Sequence, residues 1–545
     1  MADQKQCEAL VVGAGPTGLM GALLLISAGV KTRILERREE ATRESRAFAV
    51  QARSLELFQR LGLADEMIDR GVIVHSVDLH VKSRYRGSIN ADLADAGDTP
   101  FPYILMIPQS STEDILIKAL ERAGCEVERG VEVTDIAQDA NGVTTSLIVG
   151  DGTSQTIRSD YVIGADGSRS IVRESAGIQW MGELLPQRFL LADCKVEWPL
   201  DHDHFRVFIN GGRIGLFLPL EGSKLSRVMA TDTSGLFGAE DGSKPAPLDL
   251  KEMEDGFLKA IGIPARLSAP VWVTRYRAHH RSVDTYGKGR VFVAGDAAHI
   301  HSPAGGQGMN TGLQDVENLA WKIAATLRGG SSQLLESYDS ERRPVGHMVV
   351  KSTGKLFAAA AGQSGLKAAL RDIVAVPALK IISRARPIQK KAFWRISQRN
   401  IQYDAGLCVA ADSGSWQGGP RAGTRAPDAR LSEEQSLFPL IEGYEFTVLA
   451  LSRKALSAEE IDALDARMQE LASALPGTRT HIVTRNSFGR HAKAAFAPSS
   501  DVFDRYGMDG PDAQALYVIR PDGYVGWRGE GFDIAAARHY MTRFS

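Results

Sequence analysis

The order of apolar and polar positions gives the first part of the 545-residue chain a repeating pattern. Short apolar runs at residues 9–12 and 31–35 are separated by a stretch with helical periodicity at residues 19–25. An apolar run of this length next to a helical pattern is typical of a strand buried in a parallel sheet. The beginning of the chain is therefore predicted to form strand–helix–strand units.

A second pattern follows between residues 181 and 284, where apolar and polar residues alternate with period two and turn residues separate the runs. This alternation predicts an antiparallel sheet. Residues 356–397 then have a helical pattern that is broken at Pro377 and Pro387. We interpret this stretch as an amphipathic surface or dimer-contact helix.

The last part of the chain mixes both kinds of pattern. Apolar runs at residues 445–451, 479–483 and 515–519 predict strands, and residues 458–475 predict a helix between the first two. A stretch rich in glycine and serine near residue 415 precedes them and predicts a domain boundary.

Composition excludes several classes of protein. The chain carries 64 Lys and Arg against 66 Asp and Glu, a formal charge of −2, whereas a dedicated nucleic-acid binder needs a basic surplus. Its four cysteines form no C-x-x-C pair, which argues against a disulfide framework and for a reducing compartment, the cytoplasm. The N-terminus lacks the layout of a secretion signal, and glycines interrupt the apolar residues 10–30, so we expect no stable membrane association.

The first candidate site is a glycine motif between the two predicted strands. Gly13, Gly15 and Gly18 have G-x-G-x-x-G spacing, and Glu36 ends the second strand. Gly13 permits a tight turn, Gly15 lets the backbone approach a pyrophosphate, and Gly18 lets helix and strand pack closely. Glu36 could accept hydrogen bonds from a ribose. The motif predicts dinucleotide binding, but it does not separate FAD from NAD.

Two later segments carry an aspartate where an apolar strand meets a glycine turn. Asp166 follows the run at 161–164, and Asp296 follows Gly295 at the end of the run at 291–294. A glycine-rich loop at 303–310 comes next. Such carboxylates can accept hydrogen bonds from the hydroxyls of a ligand, whereas an Asx-turn or a helix cap would explain either segment alone.

Taken in this order and spacing, the three segments resemble those of the FAD-dependent aromatic hydroxylases, the group A flavoprotein monooxygenases. The resemblance covers about the first 350 residues, and Arg53 is a further candidate in the helix after Arg46. Read residue by residue, it implies these cofactor-binding positions: Gly13, Gly15, Gly18, Glu36, Arg37, Arg46, Gln109, Asp166, Gly295, Asp296, Pro303, Gly306, Gly308, Met309 and Asn310.

The resemblance also implies a fold of the α/β (α+β) class. A Rossmann-like FAD-binding domain would comprise residues 1–180 and 285–360, and an antiparallel-sheet substrate domain residues 181–284. A helical connector over 361–414 would lead to a thioredoxin-like C-terminal domain over 415–545, where redox work is not expected without C-x-x-C.

The implied chemistry is hydroxylation. NADPH or NADH would reduce FAD, and O2 would form a flavin C4a-hydroperoxide that hydroxylates a phenolic or polycyclic aromatic substrate. Ordinary sheet packing is an equal alternative for each substrate candidate. The catalytic candidates are Arg46, Pro303 and Arg213, and the substrate candidates are Phe208, Arg213, Phe217, Pro219 and Met229.

Other functions remain open at this point. A flavoenzyme of the same fold could carry out Baeyer–Villiger oxidation or oxidative dehalogenation, and a protein of this fold could bind without catalysis. An NAD-dependent dehydrogenase would leave Asp166 and Asp296 unexplained. The pairs His202/His204 and His299/His301 have no third ligand nearby, so no metal is expected, and a homodimer is left open.

Overall fold

The computed structural model describes residues 7–41, 47–90, 97–221, 224–232, 247–301, 306–360, 385–411, 418–485 and 493–544. Two predicted site residues, Arg46 and Pro303, lie outside these ranges.

The described strands, in chain order, are β1 (Ala9–Val12), β2 (Thr32–Glu36), β3 (Ala49–Val50), β4 (Val72–Val74), β5 (Ser76–Val81), β6 (Arg84–Asn90), β7 (Ile104–Met106), β8 (Val127–Arg129), β9 (Val131–Asp139), β10 (Gly142–Val149), β11 (Ser154–Ser159), β12 (Tyr161–Gly164), β13 (Trp180–Glu197), β14 (Phe205–Asn210), β15 (Arg213–Glu221), β16 (Leu225–Thr231), β17 (Arg266–Val283), β18 (Gly287–Lys288), β19 (Val291–Val293), β20 (His299–Ile300), β21 (Thr447–Ser452), β22 (Arg479–Thr484), β23 (Ala494–Phe496), β24 (Gln514–Ile519) and β25 (Val525–Glu530).

The described α-helices are α1 (Pro16–Ser27), α2 (Ala52–Arg60), α3 (Ala64–Asp69), α4 (Gln109–Arg122), α5 (Ile171–Ser175), α6 (Leu250–Ile261), α7 (Gly308–Leu327), α8 (Gln333–Ala360), α9 (Arg386–Ile396), α10 (Ala458–Ala472), α11 (Asp501–Arg505) and α12 (Ile534–Met541).

The first sheet is the predicted parallel one. Its six strands lie in the order β18-β19-β12-β1-β2-β8. β1 pairs in parallel with β12 and β2, and β19 and β8 extend the sheet in parallel on either side. All four residues of β1 are buried, as its apolar run predicts. The predicted α/β class is confirmed. Two three-stranded sheets, β11-β10-β9 and β3-β7-β4, are formed by segments that lie between strands of the large sheet in the chain.

The second sheet has eight strands in the order β20-β17-β13-β16-β15-β14-β5-β6. Its five central strands, β17-β13-β16-β15-β14, form the antiparallel arrangement that the alternation predicts. Its outer strands β5 and β6 differ from the prediction, because they come from the range assigned to the first domain. β5 joins the sheet by pairing in parallel with β14, and no local pattern announces that contact.

This second sheet buries both of its faces. On one face, α6 covers Phe208, Phe217 and Val228. α6 begins with a capping box between Asp249 and Glu252, which satisfies backbone N–H groups at the helix start. The other face packs against the first domain, and it is called the roof face below. The roof face comprises Phe48, Ala49, Val74, Ile104, Met106, Phe189, Leu191, Ile214, Leu216, Leu218, Leu220, Met229 and Phe393.

The C-terminal part folds around a mixed sheet in the order β23-β22-β21-β24-β25. β21 pairs in parallel with β22 and antiparallel with β24, and α10 and α12 contact each other beside the sheet. Val448 and Leu516 of this sheet share one buried cluster with Trp321 of α7. The C-terminal sheet therefore packs directly on the first domain, while its likeness to thioredoxin stays a prediction.

Among the residues that the structure describes, no helix is both long and apolar enough to cross a bilayer.

Candidate active site

The glycine motif forms the turn between β1 and α1. Gly13 has a φ of +101°, and a Cβ there would lie 2.4 Å from the carbonyl oxygen of Ala165. Gly15 precedes α1 at an ordinary φ of −77°, and a Cβ there would meet no heavy atom within 4 Å. The N-terminus of α1 thus opens onto free space, and its unpaired N–H groups fit a pyrophosphate.

Glu36 stands beside this turn. Its Oε2 accepts the N–H of Ala14 at 2.9 Å, and its Oε1 accepts the N–H of Arg38 at 3.0 Å. These bonds hold the carboxylate next to the glycine turn, within the region where a ribose attached to the pyrophosphate would lie. Arg37 follows it with an exposed side chain.

All three predicted segments meet at the carboxyl ends of the parallel strands. A Cβ on Gly13 would lie 2.8 Å from Cα of Asp166, and one on Gly295 would lie 2.6 Å from Oγ1 of Thr17. A Cβ on Gly312 in α7 would lie 3.0 Å from Cα of Gly295. The three segments, which are far apart in the chain, therefore pack so closely at these glycines that a side chain would not fit. They surround the edge of the sheet where doubly wound folds bind their ligands.

Asp166 combines a local role with a free acceptor. Its Oδ2 accepts the N–H of Val172 at 3.2 Å, while Ser170 caps α5 by accepting the N–H of Arg173 at 2.9 Å. Within the described residues its Oδ1 is buried and has no hydrogen-bond partner. Burial raises the pKa of Asp166 against the effect of its hydrogen bonds. A ligand hydroxyl or N–H at this oxygen would satisfy it.

Asp296 lies in a short 3-10 turn, Gly295–Ala297, directly after β19. Gly295 adopts a φ of +57°, and its N–H donates to Oδ2 of Asp315 at 3.1 Å. Gly295 and Ala297 are buried, whereas Asp296 is exposed. An exposed carboxylate at the end of a buried strand can accept hydrogen bonds from the hydroxyls of a ligand.

The loop before α7 is fixed by one amide. Asn310 accepts the N–H of Gln51 at 2.9 Å and donates to the carbonyls of Ala49 at 2.8 Å and Gly306 at 2.7 Å. Its side chain is thus occupied within the protein, and only its backbone N–H, in the first turn of α7, is left to face a cofactor. The remaining predicted residues of the loop lie in the same turn: Gly308 and Met309.

Gln109 connects this region to residue 47, which follows the predicted Arg46. Its Oε1 accepts the N–H of Ala47 at 3.1 Å, and its Nε2 donates to Glu113 at 2.8 Å. Burial raises the pKa of Glu113 to about 7, although the bond from Gln109 acts in the opposite direction. The amide of Gln109 is therefore oriented by a carboxyl group that titrates near neutrality.

We expect Glu113→Gln to stabilise the protein increasingly as pH rises. The unfolded carboxyl ionises near 4.5 and the folded one near about 7, so the folded state binds the extra proton between these values and loses stability as pH rises through that window. The glutamine variant has no such loss. Thermal unfolding at about pH 5 and about pH 8 should show a larger gain in Tm at the higher pH, and a gain that is equal at both would contradict the assignment.

A buried ion pair that the sequence patterns did not single out lies under the same peptide. Arg227 is fully buried, donates to both carboxylate oxygens of Asp193 at 2.7 and 2.8 Å, and donates to the carbonyl of Ala47 at 3.0 Å. Trp272 adds a bond to Asp193 at 2.9 Å. The sequence signal for this ion pair is one charged residue within each of two otherwise apolar strands, because a charge buried in a sheet must be paired.

Arg53, the further candidate in α2, serves a different purpose. It is 1% exposed, donates to both carboxylate oxygens of Glu317 at 2.9 Å, and donates to the carbonyl of Asp522 at 2.6 Å. These contacts bind α2 to α7 and to the C-terminal part.

The five predicted substrate residues divide between the two faces of the second sheet. Met229 belongs to the roof face, whereas Phe208 and Phe217 pack under α6. Arg213 and Pro219 alternate with the roof-face residues of β15 and so share the side of Phe217. Only Met229 is brought toward the Gly306 loop, because that loop touches Ala49 and Phe48 of the roof face.

The chain is similar to proteins of known activity. Residues 6–353 match the family model described as an FAD binding domain. Pentachlorophenol 4-monooxygenase of Sphingobium chlorophenolicum is 33% identical over 467 residues, which cover 85% of this chain and 83% of that protein. The 6-methylpretetramide 4-monooxygenase of Streptomyces rimosus is 35% identical over 390 residues, 71% of this chain and 68% of that protein.

A solved structure covers the C-terminal part as well. The anhydrotetracycline hydroxylase of Streptomyces rimosus superposes with a TM-score of 0.74 at 26% identity, and the match covers 98% of this chain and 99% of that one. These findings confirm the predicted cofactor, FAD, and the predicted class of enzyme. The chain belongs to the FAD-binding-domain family and is an FAD-dependent aromatic monooxygenase.

Proposed function

We propose that the enzyme hydroxylates a phenolic ring within a large, fused-ring aromatic molecule, with NADPH or NADH as the electron donor and O2 as the oxygen source. FAD, when bound, supplies electron transfer and oxygen activation. The chain binds this coenzyme, holds the substrate beside its reactive ring and excludes water from the site.

The roof face is the observation that carries the choice of a large substrate. Its apolar side chains come from β13, β15 and β16 and from the small sheet β3-β7-β4. Since neighbouring strands lie about 4.8 Å apart, three strands span roughly 10 Å or more, which suits fused rings better than one ring. The face reaches the Gly306 loop through Phe48 and Ala49, so a substrate lying on it would meet the coenzyme there.

The names of the relatives support the same choice. 6-Methylpretetramide and anhydrotetracycline are named as the compounds that two of them act on. Pentachlorophenol, named for a third, keeps a single-ring phenol as the alternative.

The coenzyme would lie across the meeting point of the three segments. Gly15 leaves space for the pyrophosphate at the start of α1, Gly13 and Gly18 allow the close packing that forms this turn, and Glu36 stands where the adenosine ribose would reach. Asp296 would bind the ribityl hydroxyls. The backbone N–H groups at the start of α7 would face the electron-rich edge of the flavin, where negative charge develops on reduction.

A turnover experiment tests the proposed reaction. The purified holoenzyme should oxidise NADPH or NADH faster when anhydrotetracycline is added, with pentachlorophenol as the single-ring comparison. Mass spectrometry should find a product that has gained one oxygen atom as a new phenol. A hydrolysable ester would indicate Baeyer–Villiger chemistry instead, and halide release with pentachlorophenol as the better substrate would indicate dehalogenation.

A matched pair of variants tests which face holds the substrate. Met229 on the roof face and Met253 of α6, which packs on the opposite face of the sheet, are 4% and 0% exposed, so Met→Ala should cost each about 2–5 kcal/mol of stability. Only Met229→Ala should also change KM for the aromatic substrate, by several-fold, with the FAD content unchanged. An equal change of KM in Met253→Ala would contradict the assignment of the roof face.

A cytoplasmic location is a further proposal, supported by the finding that Cys7, Cys125, Cys194 and Cys408 are all free thiols. A homodimer stays a prediction.

A further inference from the structure

Asp315 is a buried carboxylate in the middle of the site that no predicted motif includes. It lies on α7, it is 0% exposed, and three donors surround it. Its Oδ2 accepts the N–H of Gly295 at 3.1 Å and the Nε2 of His299 at 2.7 Å, and its Oδ1 accepts the Nε of Arg342 at 2.9 Å. A carboxylate can remain charged in such a place only because it is paired and hydrogen-bonded.

The neighbours keep Asp315 ionised. Burial acts to raise its pKa, but Arg342 and His299 outweigh this effect, and the pKa lies below its ordinary value. His299 presents its Nε2 to this carboxylate, so that nitrogen carries the proton. The bond to the N–H of Gly295 is therefore charge-assisted, which makes it one of the stronger backbone contacts in the site.

Through these bonds Asp315 joins the two segments that would face the coenzyme. Gly295 immediately precedes Asp296, and its φ of +57° sets the direction of the turn. Arg342 also donates to the carbonyl of Thr311, in the first turn of α7, at 3.1 Å. The position of the Asp296 turn relative to the start of α7 is consequently defined by one carboxylate and its arginine partner.

We propose that Asp315 is a positioning residue for the coenzyme, which holds the Asp296 turn and the start of α7 in the relative placement that binds FAD. This inference rests on the coenzyme site proposed above. Asp315 itself does not touch the coenzyme; it acts through the N–H of Gly295 and through His299. Without its charge, the bond from the Gly295 N–H is no longer charge-assisted, Arg342 loses its counter-charge, and the turn is held less firmly.

The affinity of the apoprotein for FAD tests the proposal, because it can be measured without turnover. Quenching of flavin fluorescence should give a Kd for Asp315→Asn about 10–100-fold above that of the wild-type protein, as expected for loss of a charge-assisted hydrogen bond. The absorption bands of the FAD that still binds should shift as the flavin moves. Both measurements are made well below the Tm of each variant, so that only folded protein is compared.

Asp428→Asn provides the matched control. Asp428 is 6% exposed and accepts the backbone N–H of Phe438 at 2.9 Å within the C-terminal part, so its replacement should lower Tm without changing the Kd for FAD or the flavin spectrum. If both variants lose FAD to the same degree, Asp315 has only a general structural role and the proposal is overturned.

Asp296→Ala separates this inference from the proposed coenzyme site. If Asp296→Ala raises the Kd and Asp315→Asn does not, the site stands and the role of Asp315 is wrong. If neither variant raises it, the site map fails, and the inference fails with it. Should Asp315→Asn not fold, His299→Leu, which removes one donor and leaves the carboxylate, should raise the Kd several-fold, and an unchanged Kd would overturn the proposal.

Discussion

Gly15→Ala should weaken the binding of FAD at least about tenfold while leaving the apoprotein as stable as before. The backbone of Gly15 has a φ of −77° and a ψ of 177°, which alanine adopts without strain. The added Cβ would meet no heavy atom of the protein within 4 Å. It would instead occupy the space at the start of α1 where the pyrophosphate must approach the backbone.

Flavin content after dialysis and the Tm of the apoprotein measure the two halves of this expectation. Gly406→Ala is the matched control, because a Cβ on Gly406 also meets nothing within 4 Å and lies far along the chain from the motif. We expect Gly15→Ala to lose at least about tenfold in affinity, equivalent to about 1.4 kcal/mol, and Gly406→Ala to lose none. A Gly15→Ala protein that binds FAD as tightly as the Gly406→Ala protein does would refute the proposed path of the coenzyme.

The contrast with Gly13 shows why this motif was readable from the sequence. Gly13 needs a φ of +101°, and a Cβ there would lie 2.4 Å from the carbonyl oxygen of Ala165, so the fold requires glycine at this position. Such requirements belong to one residue and its immediate neighbours. They therefore leave a fixed spacing in the sequence, which located Gly13, Gly15, Gly18 and Glu36 without a structure.

The pairing of strands that are distant in the chain has no comparable signal in the sequence. β5 joins the second sheet beside β14, although more than a hundred residues separate the two strands. An alternating pattern predicts that a strand has two faces, but it does not say which face meets the coenzyme domain. Phe208 and Phe217 are predicted substrate residues, but their positions along the strands put them under α6. Met229, one residue out of phase with Val228, lies on the roof face.

The polar residues that hold the site together could also not be predicted from the sequence, because their partners are distant in the chain. Asp315 and Arg227 are single charges in otherwise apolar segments, and their partners Arg342 and Asp193 come from other elements. A buried charge implies that a partner of opposite charge exists, but the sequence does not identify that partner. The same holds for the contacts that bind the C-terminal part to α7.

Arg520→Met should be the most destabilising of the substitutions considered. Arg520 is fully buried and donates to Glu341 of α8 twice at 2.8 Å and to Asp522 at 3.0 Å. Asp522 in turn accepts from Asn318 of α7 at 3.2 Å. Removal of one partner from a buried pair leaves its counter-charge uncompensated, at a cost of about 3–5 kcal/mol.

The pH dependence gives this prediction a sign. Burial acts to raise the pKa of Glu341, but Arg520 and Lys322 lower it from 4.5 to about 2. The stability from this pair is therefore present above the unfolded value of 4.5 and is lost as pH falls toward about 2. In Arg520→Met the carboxyl of Glu341 can take up a proton more readily. The loss of stability should consequently be largest near neutral pH and should shrink on acidification.

Chemical denaturation at neutral and acidic pH measures this difference, with Arg538→Met as the control. Arg538 pairs with Glu470 at 2.8 Å, but the two side chains are 43% and 70% exposed, so the loss should stay below about 1 kcal/mol. Because the C-terminal part contacts α7 through Asp522, and α7 begins at the Gly306 loop, Arg520→Met should also bind FAD less tightly. If Arg520→Met lowers the free energy of unfolding no more than Arg538→Met does, the prediction is wrong. The C-terminal part would then not stabilise α7 and α8, and their buried charges would need another source of compensation.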